Sequence, residues 1–132
     1  PINSLVRKNH KGVKWGLDMY SILAKSKISF NRHINSAENN ANNMRLYEAT
    51  GMGSLLLTDM KDNLHKIFEI DKEIVTYTCK EEALEKVEYL KNNPKKLSEI
   101  ASAGQEKTLN DHTYEIRMRE LIEIIDLYLK KI

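Results

Sequence analysis

The chain has 132 residues, of which 30% are charged and 41% hydrophobic, and its formal net charge is +2. This length fits one domain, the composition is that of an ordinary soluble globular protein, and the charge alone gives no argument for nucleic acid. A single cysteine, Cys79, excludes an internal disulfide framework and fits a reducing, cytoplasmic compartment. Because the first residue is Pro1 rather than Met, we expect a piece of a longer protein.

The first 33 residues predict a basic lead-in segment, a helix and a strand. Residues 1–14 are basic and have little apolar periodicity, which favours a solvated segment with a possible strand end at 4–7. Residues 17–25 carry a helical apolar stripe. Residues 27–33 alternate apolar and polar side chains, as a half-buried strand does. A polar loop then leads to residue 41.

Residues 42–59 predict a helix, a glycine turn and a buried strand. Asn42 or Asn43 can cap the helix start, because a short amide side chain accepts from free backbone N–H groups. Gly51 and Gly53 bracket the helix end, where the backbone often needs a positive φ. The uninterrupted apolar run SLLLT that follows predicts a strand covered on both faces, as in a parallel sheet.

The remaining residues predict one further strand and several helices. Residues 73–78 are β-branched and aromatic, which indicates a strand. In the next helix Leu84 is expected to face inward, and Asn93-Pro94 breaks that helix. The helices are expected at 63–68, 81–92, 95–103 (ended by Gly104) and 114–132, with a short helix or turn at 105–111.

This alternation of helices and strands predicts an α/β fold with a small parallel sheet. Parallel sheets bind ligands beyond the carboxyl ends of their strands, here residues 31–33, 59–61 and 77–79. The start of the central helix offers free N–H groups to a phosphate, and Arg45 lies one turn further on. Glu48 is placed to accept hydrogen bonds from two neighbouring hydroxyls, as a ribose presents. The alternative is an Arg45–Glu48 surface ion pair, worth under about 1 kcal/mol.

Other chemistry has weaker support in the sequence. The four histidines lack the spacing of metal ligands, so we expect no metal cofactor. Cys79 has no catalytic partner in the sequence and is interpreted as a half-buried structural thiol. Nucleic-acid binding through the basic residues 7–14 is a weak alternative. We expect no nucleic-acid partner, and we expect no transmembrane segment.

The stretch RLYEATGMGSLLLTD resembles the donor-binding domain of GT-B group 1 glycosyltransferases, above all their spore-maturation (CgeB-like) branch. That branch carries an R-x-[FY]-E-A-x-x-x-G segment followed by an apolar strand. The resemblance extends over nearly the whole chain from Gly12. Four further segments agree with the branch in order: GVKWGLDMYSILAKSKISFNRH, EIVTY, EEALEKVEYLKNNP and EIASAGQEKTLNDHTYEIRMREL.

The resemblance implies a Rossmann-like three-layer α/β/α fold, with 1–132 as a single domain from the nucleotide-sugar-binding half of the enzyme. It implies transfer of a glycosyl group from a nucleotide-diphosphate sugar to an unknown acceptor, without a metal. Glu48 would bind the donor ribose, and the backbone before Arg45 would bind the diphosphate. The implied donor-binding residues are Glu48, Arg45, Asn42, Asn43, Met44, Asn40 and His33, with Gly51 and Gly53 forming the structural turn.

Two features depart from the family pattern. Asn40 stands where many retaining members have a second glutamate, so the sequence does not decide between retention and inversion. The acceptor-binding domain and a basic pair that steadies the leaving diphosphate would come from elsewhere, so we expect the chain alone to be inactive. The closing amphipathic helix, 114–132, would pack on that missing domain or form a homodimer. The alternative function is a non-catalytic α/β nucleotide-binding or protein-interaction domain.

Overall fold

The computed structural model describes residues 4–34 and 38–131, apart from the side chains of Leu5 and Val6. Within these residues the chain forms six α-helices, three β-strands and a short 3₁₀ helix. In chain order the elements are α1 (Leu5–Asn9), α2 (Gly16–Lys25), β1 (Ile28–Asn31), α3 (Arg45–Gly51), β2 (Leu55–Asp59), the 3₁₀ helix (Leu64–Lys66), β3 (Val75–Tyr77), α4 (Lys80–Asn92), α5 (Pro94–Asp111) and α6 (Tyr114–Leu129).

The strands form one parallel sheet in the order β1-β2-β3. Leu55 and Leu57 of β2 pack against α4 and α5, whereas Leu56 packs against the layer that contains α2 and α3. All three leucines are fully buried, because successive side chains of a strand point to opposite faces and both faces are covered. The predicted α/β fold with a small parallel sheet is therefore confirmed.

The turn between α3 and β2 depends on one glycine rather than two. Gly53 has φ +77°, a conformation in which other residues are strained. Gly51 lies at the end of α3, as predicted, but it has no positive φ, so only Gly53 has the backbone conformation that was expected there. The side chain of Gln105 on α5 donates to the backbone oxygen of Gly51 at 3.0 Å, which ties the end of α3 to α5.

The prediction that Gly104 ends a helix was also wrong. A single helix, α5, runs from Pro94 to Asp111, and Gly104 is buried in its interior. A Cβ atom at this position would lie 2.3 Å from the backbone oxygen of Glu73. Gly104 is therefore explained by the close approach of α5 to the segment before β3, and not by a helix terminus.

Smaller differences concern element ends and exposure. Residues 4–7 lie in a helical segment, with Ser4 capping α1 through its side chain, and not at a strand end. Leu84, expected to face inward, is 68% exposed. The start of α3 has Met44 as its cap residue, and no side chain caps it, so the prediction for Asn42 and Asn43 was wrong.

The final helix, α6, follows the predicted range and is amphipathic, yet none of its residues is buried. Its large apolar side chains remain exposed: Met118, Leu121, Ile122, Ile124, Ile125, Leu127, Tyr128 and Leu129. Pairing of two copies through this face stays a prediction, with light scattering as its measurement. None of the helices in the described part of the chain is long and apolar enough to cross a membrane.

Candidate functional site

The carboxyl ends of β1 and β2 are joined by a histidine–carboxylate pair. Nδ1 of His33 lies 2.8 Å from Oδ1 of Asp59, and the backbone N–H of His33 donates to the same oxygen at 2.9 Å. Nζ of Lys61 lies 3.4 Å from the other carboxylate oxygen. The side chain of His33 is fully buried, whereas that of Asp59 keeps partial contact with solvent. His33 is thus held in one orientation by β2.

The environment of Asp59 favours its ionised form. Burial by itself would raise the pKa of Asp59, but the hydrogen bonds from the ring and backbone of His33, with the nearby Lys61 ammonium, hold this pKa below its usual value. Asp59 is consequently a carboxylate at neutral pH and acts only as a hydrogen-bond acceptor. Its neighbour across the sheet, Tyr77, has a raised pKa because of burial and the Asp59 charge.

A buried asparagine connects all three strands with the start of α3. The Nδ2 group of Asn31 donates to the hydroxyl of Thr58 at 2.9 Å. Its Oδ1 accepts from Nδ2 of Asn43 at 3.1 Å, and its backbone oxygen accepts from the hydroxyl of Tyr77 at 2.8 Å. Asn31 therefore positions the residues that precede α3 relative to the ends of β1, β2 and β3.

Arg45 and Glu48 form the ion pair that the sequence offered as an alternative to ribose binding. Nη1 of Arg45 lies 3.4 Å from Oε2 of Glu48, and Nη2 of Arg45 contacts the sulfur of Met19 at 3.6 Å. The side chain of Glu48 is 17% exposed and that of Arg45 35% exposed. The carboxylate of Glu48 keeps oxygen lone pairs that this ion pair does not use.

The other predicted donor residues lie around the start of α3. Asn40, Asn42 and Met44 are exposed, while Asn43 turns its side chain inward towards Asn31. The backbone N–H groups of Asn42, Asn43 and Met44 donate to no acceptor among the described residues. The dipole of α3 is small, because the helix has only seven residues.

A cavity of about 1070 Å³ opens at the carboxyl ends of the strands, on the side of α4. Its walls include the stacked rings of Phe30 and Tyr77, whose centroids are 5.1 Å apart, and the basic side chains of Arg32, Lys61 and Lys80. His33 and Asp59 also line it. Neither Glu48 nor any predicted residue between 40 and 45 does, so the structure divides the predicted site between two places.

Sequence reasoning named the strand ends but did not select Asn31, Asp59 or Tyr77 as functional residues. The available signal was the position of each polar side chain directly at the end of a buried strand.

Cys79, interpreted as half-buried, is exposed at the cap of α4. In the part of the chain that the structure describes, no three His, Cys, Asp or Glu side chains are grouped as metal ligands.

The parallel sheet and its helical layers form a Rossmann-like α/β domain, and polar residues lie at the carboxyl ends of its strands. Comparison with known families narrows the class of protein further. The model of the glycosyl transferase-like family matches residues 4–123, so the chain belongs to that family, and glycosyl transfer is the general activity that the match supports. No curated protein and no solved structure matches the chain significantly.

Proposed function

We propose that the chain is the donor-binding part of a glycosyltransferase that uses a nucleotide-diphosphate sugar. The observation that carries the proposal is the family match over residues 4–123, combined with the position of Glu48 in the first turn of α3, the helix that follows β1 in the chain. Glu48 accepts hydrogen bonds from the ribose hydroxyls. The backbone N–H groups before Arg45, which have no acceptor among the described residues, bind the diphosphate together with the guanidinium of Arg45.

The same proposal covers the finer features of the enzyme. The R-x-[FY]-E-A-x-x-x-G segment supports membership of the spore-maturation (CgeB-like) branch of GT-B enzymes. We propose that the enzyme acts in the cytoplasm without a resident metal. The acceptor binds on a further domain, which packs on α6, and transfer requires both domains. The chain alone therefore binds the donor but does not transfer the sugar.

The test is a ligand-detected NMR titration with UDP, GDP, dTDP and CMP, run with and without EDTA. One diphosphate is expected to bind saturably, and EDTA is expected to leave its affinity unchanged. Replacing Glu48 by Ala should weaken that binding by roughly 1–3 kcal/mol, the range for hydrogen bonds to a charged group. Glu69→Ala is the matched control, since Glu69 forms an exposed i,i+3 ion pair with Lys72 and should change nothing. Equal affinity of Glu48→Ala and the wild type would remove the ribose assignment.

A second candidate function is a non-catalytic α/β binding domain. The Arg45–Glu48 ion pair favours it, because a glutamate already paired with a neighbouring cation has a structural partner without any ligand. This candidate predicts that none of the four nucleotides binds, whereas Glu48→Ala lowers the melting temperature slightly. Thermal unfolding of the variant and the titration together separate the two functions.

A further inference from the structure

The last helix, α6, is covered by the rest of the domain only near its first turn. Its 16 residues span about 24 Å, yet only Ile116 and Arg117 among them are partly buried, and all the others are exposed. Two residues, His112 and Thr113, connect α6 to the end of α5. Because α6 is held at one end, the few contacts at that end determine its orientation.

His112 lies at the junction of α5 and α6 and contacts three parts of the chain. Its ring packs against the rings of Tyr47 on α3 and of Phe68, with centroid distances of 5.1 Å and 5.5 Å. Its Nε2 lies 3.2 Å from the backbone oxygen of Ile67, and its Nδ1 is in hydrogen-bond contact with the guanidinium of Arg117. His112 therefore joins α6 to the body of the domain.

The two hydrogen-bond partners assign the protonation state of this ring. A backbone oxygen can only accept, so the ring proton lies on Nε2. A guanidinium can only donate, so Nδ1 must offer its lone pair to Arg117. Both contacts exist together only in the neutral ring of His112. A second proton would occupy Nδ1, remove the acceptor, and place two positive charges side by side.

The surroundings of His112 oppose this second proton. Charged and titratable groups of three helices lie around the ring and its arginine partner: Lys107 and Asp111 of α5, Arg117 and Glu120 of α6, and Tyr47 of α3. Burial, with the Arg117 charge, lowers the pKa of His112 below its usual 6.5, although the Ile67 carbonyl and the Asp111 carboxylate act in the opposite direction. The contact between His112 and Arg117 is therefore complete above pH 6.5, and it is lost as the pH falls through the lowered pKa.

We propose that His112 and Arg117 form a pH-sensitive switch, which fixes the orientation of α6 while the ring is neutral and releases the helix when Nδ1 binds a proton. The inference goes beyond the proposed function and does not depend on it. Arg117 keeps its ion pair with Glu120 on α6 in both states, so the helix itself stays folded and only its attachment changes.

The first measurement is made on the wild-type chain. Histidine ¹⁵N spectra at about pH 7.5 are expected to show the proton of His112 on Nε2. Backbone order parameters of α6 are expected near 0.85 at that pH and below about 0.6 at about pH 5, whereas those of α5 stay near 0.85 throughout. The midpoint of the change in α6 should coincide with the titration of the His112 ring.

Variants then separate the two members of the switch. Arg117→Ala removes the donor on α6 and should give order parameters of α6 below about 0.6 at both pH values. His112→Gln does not titrate, so the order parameters of α6 should be the same at both pH values. Arg119→Ala is the matched control, because Arg119 lies on the same helix in an exposed ion pair with Glu115, and it should behave as the wild type does.

Four results would overturn the switch. A proton on Nδ1 of His112 at neutral pH would exclude the contact with Arg117, and low order parameters of α6 already at that pH would show that the contact does not fix the helix. A pH-dependent loss of order that persists in His112→Gln would assign the change to another group. Equal order of α6 in Arg117→Ala and Arg119→Ala would show that Arg117 does not hold the helix.

Discussion

Gly104→Ala tests the close contact between α5 and the segment that leads into β3. The added Cβ would lie 2.3 Å from the backbone oxygen of Glu73, whereas ordinary contacts begin near 3.4 Å, so helix and backbone must separate by roughly 1 Å. Neither side yields easily, because the obstacle is backbone and α5 is anchored by buried Leu97 and Ile100.

The expected loss of stability combines two opposing terms. Overpacking of this severity costs about 3 kcal/mol, the upper end of the usual range. Replacing glycine by alanine inside a helix returns about 1 kcal/mol through helix propensity. We therefore expect Gly104→Ala to lower the free energy of unfolding by about 2 kcal/mol, and the melting temperature by roughly 6–10 °C for a chain of this size.

Circular dichroism with thermal and urea unfolding measures this change, and Gly51→Ala provides the matched control. A Cβ on Gly51 would lie 3.4 Å from the methyl group of Thr108, an ordinary contact, and the backbone there is helical. Gly51→Ala should leave stability unchanged or raise it by up to about 1 kcal/mol, because the alanine meets no clash and favours the helix. If Gly104→Ala unfolds at the same temperature as Gly51→Ala, the close approach of α5 to Glu73 is refuted.

Two further predictions concern α4. Leu90→Ala should lower the free energy of unfolding by about 2–4 kcal/mol, because the side chain of Leu90 is buried. Leu84→Ala should lower it by under about 0.5 kcal/mol, because Leu84 is exposed. Equal losses of the two variants in urea unfolding would contradict the packing of α4. The Lys86 ammonium, with the hydroxyl and backbone N–H of Thr78, lowers the pKa of Glu82 to about 2. This pKa lies below the value of Glu82 in the unfolded chain. The contribution of Glu82 to stability is therefore present above pH 4.5 and lost as the pH falls towards 2. An NMR titration of Glu82 with a midpoint near 4.5 would disprove this contribution.

Local sequence patterns were sufficient for most helices and strands. The apolar run of β2 predicted a strand covered on both faces, and the helical stripes predicted α2 and α6 within one to three residues. These predictions succeed because periodicity and backbone preference act over a few neighbouring residues. Periodicity does not identify what covers an apolar face, and α6 accordingly has the predicted pattern without a buried residue.

The candidate site was predicted less completely. The sequence placed Glu48 and Arg45 on one helix face, and the structure confirms that they meet, because residues three apart in a helix are neighbours. Sequence reasoning did not pair His33 with Asp59 or Asn31 with Asn43. Such contacts join residues more than ten positions apart, and no local pattern specifies them.

The sequence by itself determined the α/β order of elements, the burial of β2, and the positive φ of Gly53, since each follows from side-chain period or from the steric limits of one residue. Only the tertiary structure decided that Gly104 is a contact point rather than a helix end, and that Asp59 sets the ring orientation of His33. The reason is physical. Both depend on the distance between segments far apart in the chain, which parallel pairing and layer packing set after the local elements have formed.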